Sequence, residues 1–324
     1  MIEFNGRIAV VTGGGTGMGR ELVRQLVAEG CSVAMCDVSA TTMAETKRLC
    51  EAAGVPQGVR ITAHLADVGK EDQILAFRDA VAKEHDTDRI HFLFNNAGIG
   101  GGGSFVTGDR DEWERTFNVC WYGVYYSTRA FMDMLLKADR AHITNTSSVN
   151  GFWASLGPNI SHTAYPAAKF AVKGFTEGLI TDLRLNAPHV TCSVVMPGHI
   201  GTSIASNTRR VLANTDSDEM SDAEVAQMRV RMTRINPALA ALSDDDLRRM
   251  AADGAARFQN EAPTSAAEAA TIILDGVKAG EWRILVGEDA KRLDANVRRD
   301  PGRAYDADFE NGLATIASAT NREP

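Results

Sequence analysis

A surplus of positive charge is missing from this chain. Its 324 residues carry 34 Lys and Arg against 42 Asp and Glu, a net charge of −8, with a pI near 5.4. That balance excludes attraction to a polyanionic backbone, so no nucleic-acid partner is expected. No apolar run approaches the roughly 18 residues that span a bilayer, so no membrane partner is expected either. The start, Met1-Ile2-Glu3-Phe4-Asn5-Gly6-Arg7, lacks the basic, apolar, small-residue order of a secretory leader. Cysteine is scarce: Cys31, Cys36, Cys50, Cys120 and Cys192 are scattered, odd in number and mostly inside apolar runs. Disulfides are therefore not expected, and free thiols fit a reducing cytoplasm. No C-x-x-C pair and no clustered His/Cys set suggests a metal. Internal repeats and low-complexity linkers are absent too, which reads as one domain over residues 1–324.

What is present alternates. The β-branched run Arg7–Thr12 is followed by Thr12-Gly13-Gly14-Gly15-Thr16-Gly17-Met18-Gly19, then by apolar residues at helical spacing from Glu21 to a stop at Gly30. Strand, glycine turn and helix are the context of a dinucleotide fingerprint. Glycine lets the backbone approach a pyrophosphate, and the helix start offers unpaired N–H donors. Gly13, Gly15, Thr16, Gly17, Met18 and Gly19 are thus candidate cofactor residues. The second strand, 32–36, ends at Asp37. An acid about 20 positions past the glycine turn accepts from ribose hydroxyls and repels a 2′-phosphate, which points to NAD over NADP. Neither Thr16 nor Val38 supplies a basic group to offset that repulsion.

The alternation continues. A helix is expected over 41–53, a strand over 59–65 leading to Asp67-Val68, a helix over 71–84, and a strand over 90–94 leading to Asn95-Asn96-Ala97-Gly98. Strands alternating with helices imply a parallel sheet, doubly wound, with helices on both faces: a Rossmann-like three-layer α/β/α fold. Asp67 and Val68 fall at the carboxyl end of the third strand, where adenine is expected.

Further on, Tyr165 and Lys169 stand four residues apart in Thr163-Ala164-Tyr165-Pro166-Ala167-Ala168-Lys169. On a helix they share a face, and Pro166 suits the first turn. A cation beside a phenol favours the phenolate, so Lys169 is expected to lower the Tyr165 pKa and make it a general acid/base. T-G-x-x-x-G-x-G, the strand-ending Asp, N-N-A-G, the pair Ser147-Ser148 and Y-x-x-x-K occur in this order. Together they resemble the short-chain dehydrogenase/reductase family over roughly residues 5–202, and again near 263–287.

The resemblance implies roles. Ser148 would orient the substrate oxygen, and Lys169 would also hold the nicotinamide ribose. Asn118, in Phe117-Asn118-Val119-Cys120-Trp121-Tyr122-Gly123, is similar to the start of the family's N-x-x-G segment and would hold a relay water beside the lysine. Asn95, Ala97 and Gly98 would border the cofactor. Pro197-Gly198-His199-Ile200-Gly201-Thr202 resembles P-G-x-x-x-T, which assigns Pro197, Gly198, Ile200 and Thr202 to the nicotinamide. The 17 positions from Ser148 to Tyr165 exceed the usual spacing. Phe152 and Trp153 in that insert would line a pocket or join the core. His162 is a surface histidine or a second base, and His199 is placed near substrate by position alone. The glycines of 100–103 edge a pocket or form a surface loop.

Residues 203–262 are charged and helical in pattern, with breaks at Asn236-Pro237 and a helix start at Ser243-Asp244-Asp245-Asp246. In the family this is the substrate lid. Residues 288–324 form a C-terminal extension with a helix expected over 289–298, wrapping a neighbouring subunit or fraying. The expected function is NAD-dependent interconversion of a secondary alcohol and a ketone. The long lid with Phe105, Phe152 and Trp153 suggests a bulky hydrophobic substrate. Apolar faces on 119–137 and 165–185 suit a homodimer or homotetramer. Alternatives are a non-catalytic NAD sensor or scaffold, and an epimerase or dehydratase on the same fold.

Overall fold

The computed structural model describes residues 2–157 and 160–309. Alternation in the sequence becomes alternation in space. β1 (Ile8–Thr12), β2 (Ser32–Asp37), β3 (Ile61–Leu65), β4 (Phe92–Asn95), β5 (Ala141–Thr146), β6 (Val190–Pro197) and later β9 (Arg283–Val286) form one sheet. Its seven strands run in the order β3-β2-β1-β4-β5-β6-β9, and each neighbouring pair is parallel. Parallel strands need crossovers that cover the sheet, which is why β1 and β4 are apolar on both faces.

The helices divide between those faces. α1 (Gly17–Ala28), α2 (Ala40–Ala53) and α10 (Ala266–Ala279) cover one side. Their Leu22, Leu26, Met43, Ile273 and Val277 pack with the strand residues Ala9, Val11 and Phe94. α3 (Glu71–Glu84), α4 (Arg110–Phe117), α5 (Gly123–Leu136) and α6 (Ala164–Asn186) lie on the other side. There Ile74, Phe77, Phe131, Leu135 and Leu179 enclose Val10, Leu93 and Ile143. Between α4 and α5 the chain makes a π-helical turn over Asn118–Tyr122. Such turns are rare and concentrate at functional sites.

Residues 203–262 are helical as expected: α7 (Ile204–Ala213), α8 (Asp222–Ile235) and α9 (Asp244–Asn260). Ser221 and Ser243 close capping boxes with Glu224 and Asp246, and the Asn236 side chain caps the 3-10 turn at Pro237–Ala241. A short parallel pair, β7 (Ile200–Gly201) with β8 (Thr264–Ser265), ties the two ends of this segment together. Two residues per strand leave no periodicity to read in the sequence.

The extension begins with α11 (Glu288–Arg299). Through residue 309 it folds back on its own chain, where Ala290, Leu293 and Ala304 form a third apolar cluster with Val149 and Trp153. Arg283 on β9 donates to Asp294 at 2.5 and 3.0 Å, locking the helix to the sheet edge. The rest of the extension, 310–324, lies outside the described residues.

Candidate active site

The carboxyl ends of β1, β2 and β4 open onto a groove of about 650 Å³. Gly13 and Gly17 adopt φ of +68° and +52°, a region that favours glycine. A side chain on Gly13 would meet the Ala97 backbone at 2.8 Å, so the turn must be bare for the two loops to approach. Thr16 precedes α1 without capping it. Its hydroxyl instead accepts from Asn207 Nδ2 at 2.8 Å. The first-turn N–H groups of α1 are therefore left for an anion, which is what a dinucleotide pyrophosphate needs.

Asp37 ends β2 on the groove wall. Its carboxylate accepts from Gly15 N at 2.9 Å and Ser39 N at 3.2 Å, so it shapes the glycine turn as well as facing the groove. Burial raises its pKa, and these N–H donors together with Arg20 pull it back. The neighbouring wall is Val38, Ser39, Thr41 and Thr42, with no cation among them. Asp67 also lines the groove, where Arg115 donates to it at 3.1 Å and Gly69 N at 3.0 Å. Gly13, Thr16, Gly17, Met18, Asp37, Asp67, Val68, Ala97, Gly98 and Thr202 all line the groove.

Other expected residues stand behind it. Gly15 backs onto Asp37, and Gly19 packs against Gly13. Asn95 points into the core, donating to Thr128 at 2.9 Å and Asn145 at 2.8 Å. Asn96, one residue on and so on the opposite face, takes the groove position. Pro197 ends β6, and Ile200 is buried. Gly198 packs against the Asp289 carboxylate, away from the groove lining.

Tyr165 opens α6 and Lys169 follows one turn later, with its Nζ 5.3 Å from the Tyr165 ring centre. Lys169 is buried and donates to the Thr146 carbonyl at 2.8 Å. The Nζ also lies 3.5 Å from the point where a Gly98 side chain would begin, which brings it to the groove wall. Ser148 leads into the 3-10 turn Val149–Gly151, which packs against α6. Its Oγ accepts from Asn150 N at 3.1 Å, which fixes the hydroxyl. Ser147 turns away and donates to the Lys169 carbonyl at 2.7 Å, bracing the helix from behind.

The electrostatics of the pair differ from the sequence expectation. Burial pushes the Tyr165 phenol above its ordinary value, the Cys120 thiol adds to that, and the Ser148 hydroxyl offsets part of it. Burial pushes Lys169 down. For both groups burial is the largest influence, and it favours the neutral forms.

Asn118 starts the π-turn, and its carbonyl accepts the Gly123 N–H. The Cys120 thiol is the group found beside Lys169: its Sγ is 3.8 Å from the same Gly98 point that lies 3.5 Å from Nζ. Gly123 follows Cys120 by three residues, so the N-x-x-G register falls on Cys120-Trp121-Tyr122-Gly123, with a thiol in place of an amide. Cys120 donates to the Ile99 carbonyl at 3.1 Å.

The short-chain dehydrogenase family model matches residues 7–212. The chain belongs to the short-chain dehydrogenase/reductase (SDR) family. A Mycobacterium tuberculosis protein named as an oxidoreductase, SadH, is 32% identical over 314 residues, covering 97% of this chain and 98% of its own. Human dehydrogenase/reductase SDR family member 11 is 31% identical over 207 residues, 63% of this chain and 77% of its own. A Burkholderia phymatum SDR solved with NAD superposes with a TM-score of 0.72 at 28% identity, over 93% of this chain and 96% of that one. A metagenomic SDR solved with NADP gives 0.54 at 30% identity, over 67% and 94%. SDR relatives thus bind either dinucleotide.

The structure decides between the readings left open for several aromatic and histidine positions in this SDR. Trp153 is buried and donates to the Ala304 carbonyl at 2.6 Å, so the insert after Ser148 serves as a seat for the C-terminal extension. Phe152 stacks under Arg283, and Phe105 is 77% exposed. These three rings do not converge on one pocket. His199 sits between Asp289, which accepts its N–H at 2.7 Å, and the Phe258 carbonyl, 2.7 Å from Nε2. It fastens the Pro197-Gly198 loop to α11 and α9. His162 is half-buried against the Tyr165 ring, 5.2 Å between centres, and burial pushes it down to about 4. It is therefore a neutral neighbour of the tyrosine. The glycine loop packs on the start of α6, with Ala164 N donating to the Gly102 carbonyl at 3.1 Å. Gly100 N donates to Thr208 of α7 at 2.7 Å.

Among the groove residues that no sequence signal marks is a set from α7 and its C-cap. Ile204, Asn207, Arg210, Val211 and Asn214 share one helical face and roof the groove. Among the described residues, no helix is long and apolar enough to cross a membrane, and no cluster of three or more His, Cys, Asp or Glu side chains could hold a metal ion.

Proposed function

We propose that this SDR interconverts a secondary alcohol and a ketone, with NAD as the hydride carrier. The observation that carries the reading is the pairing of Tyr165 with Lys169 one turn apart on α6, with Ser148 at the turn packed on that helix and the Lys169 Nζ directly behind Gly98, a lining residue of the groove that Asp37 also lines. Asp37 supports NAD over NADP, because a carboxylate accepts from ribose hydroxyls and repels a 2′-phosphate. The glycine turn, Asp37, Asp67 and Thr202 would hold the cofactor, which when bound supplies the nicotinamide C4 that takes or returns the hydride.

The chain's own residues move the proton. In oxidation, Ser148 Oγ hydrogen-bonds the substrate hydroxyl, and Tyr165 Oη, as the phenolate left once its own proton has passed to solvent, accepts the hydroxyl proton. In reduction the same hydroxyl returns it to the carbonyl oxygen. Lys169, anchored on the Thr146 carbonyl, keeps its ammonium next to the phenol so that negative charge on Tyr165 is compensated. Cys120 stands at the relay position beside that ammonium. Helices α7–α9 act as the substrate lid, excluding water from the reacting atoms.

Homo-oligomerisation through α5 and α6 completes the reading. Tyr122 just before α5, Tyr125 on it and Phe170 on α6 are 37%, 39% and 42% exposed, an aromatic face suited to a second copy. Five free, buried thiols suit a reducing cytoplasm.

A Tyr165→Phe variant tests the catalytic assignment. It is expected to lose at least roughly a hundred-fold in kcat on secondary alcohols, while NADH binding stays within about two-fold. Full turnover by this variant would refute the role given to Tyr165.

A further inference from the structure

The C-terminal extension reaches the loop that carries Ser148. Ser148 opens the 3-10 turn Val149–Gly151, and its Oγ is held by the Asn150 N–H at 3.1 Å. Gly151 must be bare, because a side chain there would meet the Lys169 carbonyl at 2.9 Å; the turn lies directly on α6, one helical turn past Tyr165. The buried Asn150 amide donates to the Trp153 carbonyl at 2.9 Å and to the Ser155 carbonyl at 2.8 Å. One residue therefore ties the serine hydroxyl, through its backbone, to the loop 153–155, through its side chain.

The extension holds that loop from outside. The Trp153 indole N–H donates to the Ala304 carbonyl at 2.6 Å, and Ala154 N donates to Tyr305 Oη at 3.0 Å. Val149 and Trp153 also bury against Ala290, Leu293 and Ala304. Arg303 keeps the extension in shape at this point, pairing with Asp306 at 2.8 Å and Asp308 at 3.0 Å. Tyr305 itself is 63% exposed, so its ring adds little to the core and its hydroxyl is the contact that counts. A hydroxyl that must meet a reacting oxygen rewards close placement, since a misplacement of about 1 Å costs on the order of a hundred-fold in rate. We infer that Tyr305 is a positioning residue for the reaction: by way of Ala154, Trp153 and Asn150 it sets where Ser148 Oγ stands, so that the extension completes the active site of its own chain. This rests on the role given to Ser148 above and adds to it an element from the far end of the sequence.

A double-mutant cycle of Tyr305→Phe with Ser148→Ala in the full chain tests it. Turnover is read as NADH formation from NAD with a panel of aliphatic, cyclic and aryl secondary alcohols. Tyr305→Phe keeps the ring and removes only the hydroxyl. Alone, it is expected to lower kcat on the best alcohol of the panel by about three- to ten-fold. NADH binding by fluorescence titration is expected to stay within about two-fold. In the Ser148→Ala background the same change is expected to cost nothing further, because the group it positions is gone. Equal losses in both backgrounds would show that Tyr305 acts on the fold at large; they would overturn the inference and leave Ser148 in its role. An unchanged kcat in Tyr305→Phe would overturn it as well. Full turnover by Ser148→Ala would instead remove the serine from the mechanism, and the inference with it. If the unmodified protein oxidised none of the alcohols, the function proposed above would fall, and this inference would fall with it.

Discussion

Replacing Asp37 by asparagine separates its two tasks. The carboxylate accepts from Gly15 N and Ser39 N at 2.9 and 3.2 Å, and it faces the groove. An amide retains one accepting oxygen, so one of those N–H groups loses its partner. That costs about 1–3 kcal/mol of stability. For a chain of this size the melting temperature is expected to fall by roughly 2–10 °C. The charge effect is distinct and larger on ligand choice. Losing a charge-assisted bond to ribose removes about 1.5–3 kcal/mol of NADH affinity, which is about ten- to a hundred-fold. The repulsion of a 2′-phosphate disappears in the same step, so NADPH binding improves. The ratio of NADH to NADPH affinity is therefore expected to drop by at least roughly a hundred-fold. Fluorescence titration with both reduced dinucleotides measures it, with a thermal melt alongside. A variant that melts a few degrees lower and keeps its NADH preference within about three-fold would refute the reasoning. Asp37 would then be a brace for the glycine turn and nothing more.

Two further outcomes concern stability. His142 is buried on β5, with ring nitrogens 2.8 Å from Thr191 Oγ1 and 2.9 Å from Ser193 Oγ, and burial pushes it down to about 3. The unfolded chain takes up a proton near pH ~6.5 that the folded chain refuses, so this stabilisation is complete above about pH 6.5 and is lost as pH falls toward about 3. At about pH 5 the loss is about 2 kcal/mol, and His142→Gln is expected to show a shallower fall of melting temperature between about pH 7 and pH 5; an identical slope would count against it. Asp294 is paired with Arg283 and Arg298 where α11 meets β9. Asp294→Ala strands a largely buried guanidinium and is expected to cost about 3–5 kcal/mol in urea unfolding, whereas a loss under about 1 kcal/mol would show that the extension is not integral to the domain.

Local pattern is enough for the sheet and its helices. The β-branched runs ending at Thr12, Asp37 and Asn95, the glycine turn after Thr12, and the Tyr165–Lys169 spacing are short-range signals, because side-chain period and turn chemistry act within a few residues. The serine caps at Ser221, Ser243 and Ser265 are of the same kind. What depends on distant residues is not legible. Nothing near Trp153 says that it will seat Ala304, and nothing near His199 says that it will bridge Asp289 and Phe258. Residue type favours Asn118 over Cys120, and only the π-turn between α4 and α5 puts the thiol beside Lys169. Burial behaves in the same way. Sequence spacing predicts a cation that lowers the Tyr165 pKa, but the enclosing fold desolvates both groups and reverses the balance. Which elements form, and which residue types stand ready for chemistry, can be read along the chain, since propensity and periodicity are properties of neighbours. Which of those residues meet is settled in three dimensions, because contacts between residues far apart in the chain follow from the packing of whole layers.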